Sequence, residues 1–128
     1  MDQSGAQKRA LVVDDDSTML EYVSAVLRRA GYHVETAENG LTALEMYRAT
    51  PFDAVVCDIR MPKLSGTSFL KNLHLTPHSA CRVVLLSAMD DQTIRREAME
   101  AGAVAYLVKP TTSKAIVEAV SGVSAVQS

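Results

Sequence analysis

Short apolar runs alternate along this chain with longer stretches in which apolar positions recur every three or four residues. The runs are Ala10–Val13, Val34–Ala37, Ala54–Cys57, Val83–Leu86 and Ala105–Val108. They are brief and mostly β-branched or aliphatic, which predicts strands rather than helices. Val34-Glu35-Thr36-Ala37 mixes in polar residues and predicts an edge strand. The others are nearly continuous in apolar character, as strands covered on both faces must be.

Helices are predicted between the runs. Thr18 to Arg29 places Leu20, Val23, Val26 and Leu27 on one face, with Thr18 and Glu21 spaced as a capping box and Gly31 as a stop. Leu41 to Arg48 follows Asn39 as cap and stops before Pro51. Thr67 to Leu75 follows Ser65-Gly66 and ends before Pro77. Gln92 to Ala101 follows Asp90-Asp91 and ends at Gly102. The last helix runs from Thr112 to about Val120, capped by Thr111 or Thr112. A strand-helix unit used five times in succession predicts an α/β fold: a parallel sheet between two helical layers, joined by right-handed crossovers. The doubly wound, flavodoxin-like strand order 2-1-3-4-5 accommodates this with the second strand at one edge.

Composition narrows the picture. The 128 residues fit one domain with a real core, and the net charge of −2 offers no broad pull toward nucleic acid or anionic lipid. The pairs Arg28–Arg29 and Arg95–Arg96 read as solvated helix faces. Two cysteines, Cys57 in an apolar run and Cys81 after a polar loop, form no disulfide framework and lack metal-ligand spacing. No apolar run approaches a membrane span, and Met1 to Arg9 lacks a signal-peptide apolar core, so the expected compartment is the cytoplasm.

Candidate chemistry lies just beyond the strands. Val13 is followed by Asp14, Asp15 and Asp16, Cys57 by Asp58, Leu86 by Ser87 and Val108 by Lys109. In a parallel sheet every strand ends on the same edge, so these residues converge where such folds bind ligands. Clustered carboxylates repel one another unless a cation neutralises them, and a few hard oxygens with room for water suit Mg²⁺. Asp58 could attack phosphorus and form an acyl phosphate, with Lys109 and the metal holding the phosphoryl oxygens and the Ser87 hydroxyl donating a hydrogen bond. Each residue also has an ordinary explanation: the aspartates could cap the first helix, Asp58 a turn before Pro62, Ser87 the next loop, and a lone lysine is usually solvated. Their coincidence at the ends of different strands favours the site.

Leu11-Val12-Val13-Asp14-Asp15, Asp58-Ile59-Arg60-Met61-Pro62, Leu86-Ser87-Ala88 and Tyr106-Leu107-Val108-Lys109-Pro110 resemble the receiver domains of two-component response regulators. Asp14-Asp15-Asp16-Ser17-Thr18-Met19 is most similar to the stand-alone chemotaxis type. The resemblance runs from about Arg9 to Val120. It implies a receiver domain over 9–121, between a flexible tail, 1–8, and a C-terminal tail or start of a linker, 122–128. It further implies Asp58 as phosphoacceptor and Asp14, Asp15 and the Arg60 backbone carbonyl as ligands, with Asp58, to Mg²⁺ or a substituting Mn²⁺. Ser87 takes the hydroxyl position and Lys109 pairs with the phosphoryl group, its bond to Pro110 being cis. Tyr106 is implied as the rotating aromatic that couples Ser87 to the output face; its ordinary alternative is a partly buried strand residue with a wet hydroxyl.

The implied partners are a histidine kinase or histidine phosphotransfer protein and a downstream target docking on the face of the fourth helix, fifth strand and fifth helix. Neither nucleic-acid binding nor membrane insertion is expected, and the implied state is a monomer or a weak phosphorylation-dependent dimer. A phosphorelay intermediate, or the N-terminal part of a longer regulator, is the alternative. The chain departs from the common pattern at Arg60, where a short polar residue is frequent, and at Met89; both positions border the path of a hydrolytic water. A phosphatase of the haloacid dehalogenase type would need a second aspartate where Arg60 stands. A nucleotide- or flavin-binding module would need a glycine-rich loop where Asp14-Asp15-Asp16 stands.

Overall fold

The apolar runs form a single parallel sheet of five strands in the order β2-β1-β3-β4-β5. These are β1 (Arg9–Val13), β2 (His33–Ala37), β3 (Ala54–Asp58), β4 (Arg82–Ser87) and β5 (Ala105–Val108). Between and after them lie α1 (Ser17–Arg29), α2 (Gly40–Ala49), α3 (Gly66–Asn72), α4 (Gln92–Glu100) and α5 (Ser113–Ser121). The computed structural model describes residues 7–61, 63–76 and 79–122. Most of the expected terminal tails, and Pro62 and Pro77, lie outside the described residues; Lys8 is within them, and its carbonyl accepts from His33 N at 2.8 Å.

Strand periodicity divides the core. Side chains alternate between faces along a strand. Leu11 and Val13, Val55 and Cys57, Val83 and Leu85 pack on one face with Ala43 and Leu44 of α2, Phe69 and Leu70 of α3 and Ala98 of α4. Ala10 and Val12, Ala54 and Val56, Val84 and Leu86 pack on the other with Val23, Val26 and Leu27 of α1 and Ile116 and Val120 of α5. Apart from Arg9 and Arg82 at their starts, the central strands are buried because each face is roofed by helices. No helix among the described residues is long and apolar enough to cross a membrane.

Several expectations need correction. Helix α1 is capped by Asp16, whose side chain accepts from Thr18 N at 3.0 Å, not by a Thr18–Glu21 box. Asp16 has the extended backbone a cap requires, whereas Thr18 is already helical. Helix α3 ends at Asn72 rather than Leu75, because His74 takes a left-handed φ of 53° and Leu75 turns in against Gly102 and the core. Strand β5 is the second edge of the sheet, and most of its residues are only half-buried. Its apolar sequence serves contact with α4 and packing of Ala105 and Leu107 against the second core cluster rather than burial on both sides.

Candidate phosphoacceptor site

Asp58 is the last residue of β3, paired in register with Leu86, and the ladder continues past it through Ile59 N to Leu86 O at 3.0 Å. Its carboxylate is therefore carried by the sheet itself rather than by a loop. Behind it, Gly66 N donates to Ile59 O at 2.8 Å, and a Cβ on Gly66 would lie 2.3 Å from the Asp58 carbonyl oxygen. Only glycine lets the start of α3 come this close to the backbone beneath Asp58.

Strand β1 delivers the other acids. Asp14 is buried, its N–H donating to Ala37 O at 3.2 Å and its Oδ1 accepting from Asp16 N at 2.9 Å. Asp15, next in the chain, is exposed. One carboxylate oxygen from each of Asp14, Asp15 and Asp58 lies within 4.8 Å of the others. From the end of β5, Lys109 Nζ reaches Asp58 Oδ1 at 2.7 Å and Asp14 Oδ2 at 3.6 Å. The Lys109–Pro110 bond is cis, and Lys109 N donates to Ser87 O at 2.7 Å.

Charge balance explains the titration behaviour. Burial raises the Asp14 carboxyl above its ordinary range, Asp58 and Asp15 push it further, and the hydrogen bond from Asp16 with the charge of Lys109 only partly offsets this. Burial alone would lower the Lys109 ammonium, but its contacts with Asp58 and Asp14 overcome that, and the net direction is upward. One ammonium thus faces three carboxylates. The cluster is a hard-oxygen, under-neutralised set of the kind that suits a divalent cation with several waters.

Ser87 and Tyr106 have the strand parity of the face covered by α4. Ser87 ends β4, is buried, and its Oγ accepts from Met89 N at 3.1 Å. Tyr106 is 4% exposed and its hydroxyl donates to Met89 O at 2.8 Å, so it is neither wet nor partly buried. The ring is already inward in this structure. Arg60 and Met89 are both exposed, with Arg60 two residues beyond Asp58. Neither Gly66 nor Arg95 stood out in the sequence. Ser65-Gly66 before a helix reads as an ordinary helix start, and no local signal tells that Arg95 stacks on Tyr106 at 4.6 Å.

The family profile of the response regulator receiver domain matches residues 10–121. The chemotaxis protein CheY of Thermotoga maritima is 36% identical, covering 91% of this chain and 98% of its own length. The transcriptional regulatory protein ZraR of Klebsiella oxytoca is 42% identical over 84% of this chain, which spans only 24% of that regulator. A crystal structure of a response regulator protein from Burkholderia pseudomallei, with a phosphorylated aspartic acid, calcium ion and citrate, aligns with a TM-score of 0.79 and 30% identity, covering 88% of this chain and 66% of that one.

Proposed function

The chain belongs to the response regulator receiver domain family, and we propose that it is a signalling switch phosphorylated on Asp58. The observation that carries this reading is the convergence of Asp58 with Asp14, Asp15 and Lys109 at the ends of β3, β1 and β5, on one edge of the sheet. A carboxylate oxygen of Asp58 forms the new O–P bond. The P–N bond of a phosphohistidine on a histidine kinase or phosphotransfer protein breaks, and the imidazole leaves with the electron pair and takes a proton from water. Lys109, freed from its pairing with the Asp58 carboxylate, follows the charge onto a phosphoryl oxygen. The Ser87 hydroxyl proton is available to another phosphoryl oxygen, since Oγ acts as an acceptor toward Met89 N.

Asp14, Asp15, Asp58 and the Arg60 backbone carbonyl would hold Mg²⁺, with Mn²⁺ able to substitute. When bound, the ion neutralises charge on the carboxylates and on the incoming phosphoryl oxygens. A downstream partner reads the surface of α4, β5 and α5, onto which Ser87 and Tyr106 open. The protein works in the cytoplasm, as a monomer or a weak phosphorylation-dependent dimer. It acts either alone or as the receiver part of a longer regulator; both kinds occur among its relatives.

The test is phosphorylation by a small-molecule donor such as acetyl phosphate with Mg²⁺, followed by intact mass. One phosphoryl group is expected on the parent and none on Asp58→Asn. Equal labelling of both proteins would refute the assignment.

A further inference from the structure

A closed ring of contacts joins the phosphoacceptor edge to α4. Ser87 Oγ accepts from Met89 N at 3.1 Å. The Met89 carbonyl accepts from the Tyr106 hydroxyl at 2.8 Å. The Tyr106 ring lies beneath the Arg95 guanidinium, 4.6 Å from centroid to Cζ, and the Tyr106 carbonyl accepts from Arg95 Nη1 at 3.3 Å. Arg95 Nη2 then donates to Asp90 Oδ1 at 3.0 Å, and Asp90 follows Met89 in the chain.

We infer that Arg95 is a positioning residue: stacked on Tyr106 and tied to Asp90, it holds the ring inward and keeps the loop after Ser87 in the form that accepts a phosphoryl group. This rests on the reading of Asp58 above. Three features of the guanidinium suit it to the task. Its plane covers the ring face, its fork reaches two acceptors in different directions, and its charge persists at any physiological pH. A lysine would supply the charge without the plane or the fork.

The ring gains its hydroxyl partner, Met89, only while it is inward. Met89 is also the residue whose N–H engages Ser87. Inward ring and ordered loop therefore stabilise each other, and the cation on the outer face of the ring favours both. Because coupling between sites is reciprocal, a phosphoryl group at Asp58 that favours the inward ring is bound more tightly as the inward population grows.

The test uses the full chain labelled with 3-fluorotyrosine at its four tyrosines. The Tyr106 ¹⁹F signal is assigned with Tyr106→Phe, exposed Tyr22 marks the solvent-facing shift, and buried Tyr32 reports an intact fold. Without metal or beryllofluoride, Arg95→Ala should move the Tyr106 signal toward that of Tyr22, and Arg95→Lys should move it part of the way. Affinity for beryllofluoride with Mg²⁺ should fall about two- to fivefold in Arg95→Ala. A Tyr106 signal that stays put in both variants overturns the clamp. A signal that moves while beryllofluoride affinity does not change overturns the link to the phosphoryl site. A parent that does not bind beryllofluoride refutes the Asp58 reading instead, and the ¹⁹F shift alone then decides whether Arg95 holds the ring.

Discussion

Lys109 Nζ stands 2.7 Å from Asp58 Oδ1, so the carboxylate at the end of β3 is held by a cation from the same chain. That contact bears on the stability of the protein, and it is the positive charge a divalent ion at the site would meet. Lys109→Gln should cost about 1–3 kcal/mol in metal-free urea unfolding, because a buried carboxylate loses its counter-charge while solvent at the site's mouth limits the loss. The same variant should bind Mg²⁺ more tightly, since less positive charge opposes it. The folded-state value of Lys109 is raised, so its stabilisation is complete below the ordinary lysine value of 10.5 and is lost as pH rises through the folded value. Urea midpoints across the alkaline range check the sign.

Asp14 follows the same pH trend, but here it is the charged form that the fold disfavours. Its folded value is raised above the ordinary 3.8, so the stability it contributes is complete below that pH and declines as pH rises through the folded value. At pH 7 without divalent cations, Asp14→Asn should therefore be more stable than the parent, with Tm higher by about 3–6 °C for each kcal/mol of repulsion relieved. The amide can still accept from Asp16 N. Added Mg²⁺ should reverse the ranking: a site with Kd about 1 mM stabilises the parent by about 1.4 kcal/mol at about 10 mM ion. Asp14→Asn and Asp15→Ala should gain much less. Thermal melts with and without Mg²⁺ read both effects, and equal Mg²⁺ responses in parent and variants would count against the site.

Gly66→Ala should be costly although the position lies in a helix, where alanine is normally preferred. Its Cβ would meet the Asp58 carbonyl oxygen at 2.3 Å and Ile59 Cα at 2.9 Å, both backbone atoms that cannot swing aside. A loss of about 1–3 kcal/mol is expected from overpacking, with slower phosphorylation as β3 shifts. Urea unfolding and the rate of labelling by acetyl phosphate measure the two separately.

Arg60 and Met89 would bear on the lifetime of an acyl phosphate on Asp58. Arg60 is long and cationic, and exposed Met89 is bulky and apolar. Standing two residues after Asp58 and two after Ser87, both would border the route of a water toward a phosphorus on Asp58. The double variant Arg60→Asn, Met89→Glu should dephosphorylate faster than the parent in single-turnover decay, and a slower variant would refute the idea.

The sheet was legible in the sequence because its central strands are buried on both faces, and only continuous apolar runs satisfy that condition. For the same reason β5 misleads: Ala105–Val108 has a core-like sequence but lies at an edge, packed against α4 and only partly covered. The site was legible because parallel strands fix where Asp14, Asp58, Ser87 and Lys109 meet. Local capping was less so, since Asp16 and Thr18 both suit a cap and the backbone chose the residue nearer the strand. Arg95 and Gly66 could not be found by pattern. Each matters through a contact with a residue distant in the chain, Tyr106 or the backbone of Asp58, which exists only after folding.

The hydrogen-bond ladder that runs past Asp58 to Ile59 also ranks how easily parts of the molecule come apart. Amides of β3 lie in the middle of the sheet under two helical layers and should exchange with solvent only on global unfolding, whereas α4 buries only Ala98 fully and should open far more readily. If Asp58 receives the phosphoryl group, it is thus fixed to the last part of the protein to open, and the helix that would display the signal belongs among the first. Heat or denaturant would then silence the output face before the chemistry fails, leaving a protein that still takes up phosphate but no longer reports it.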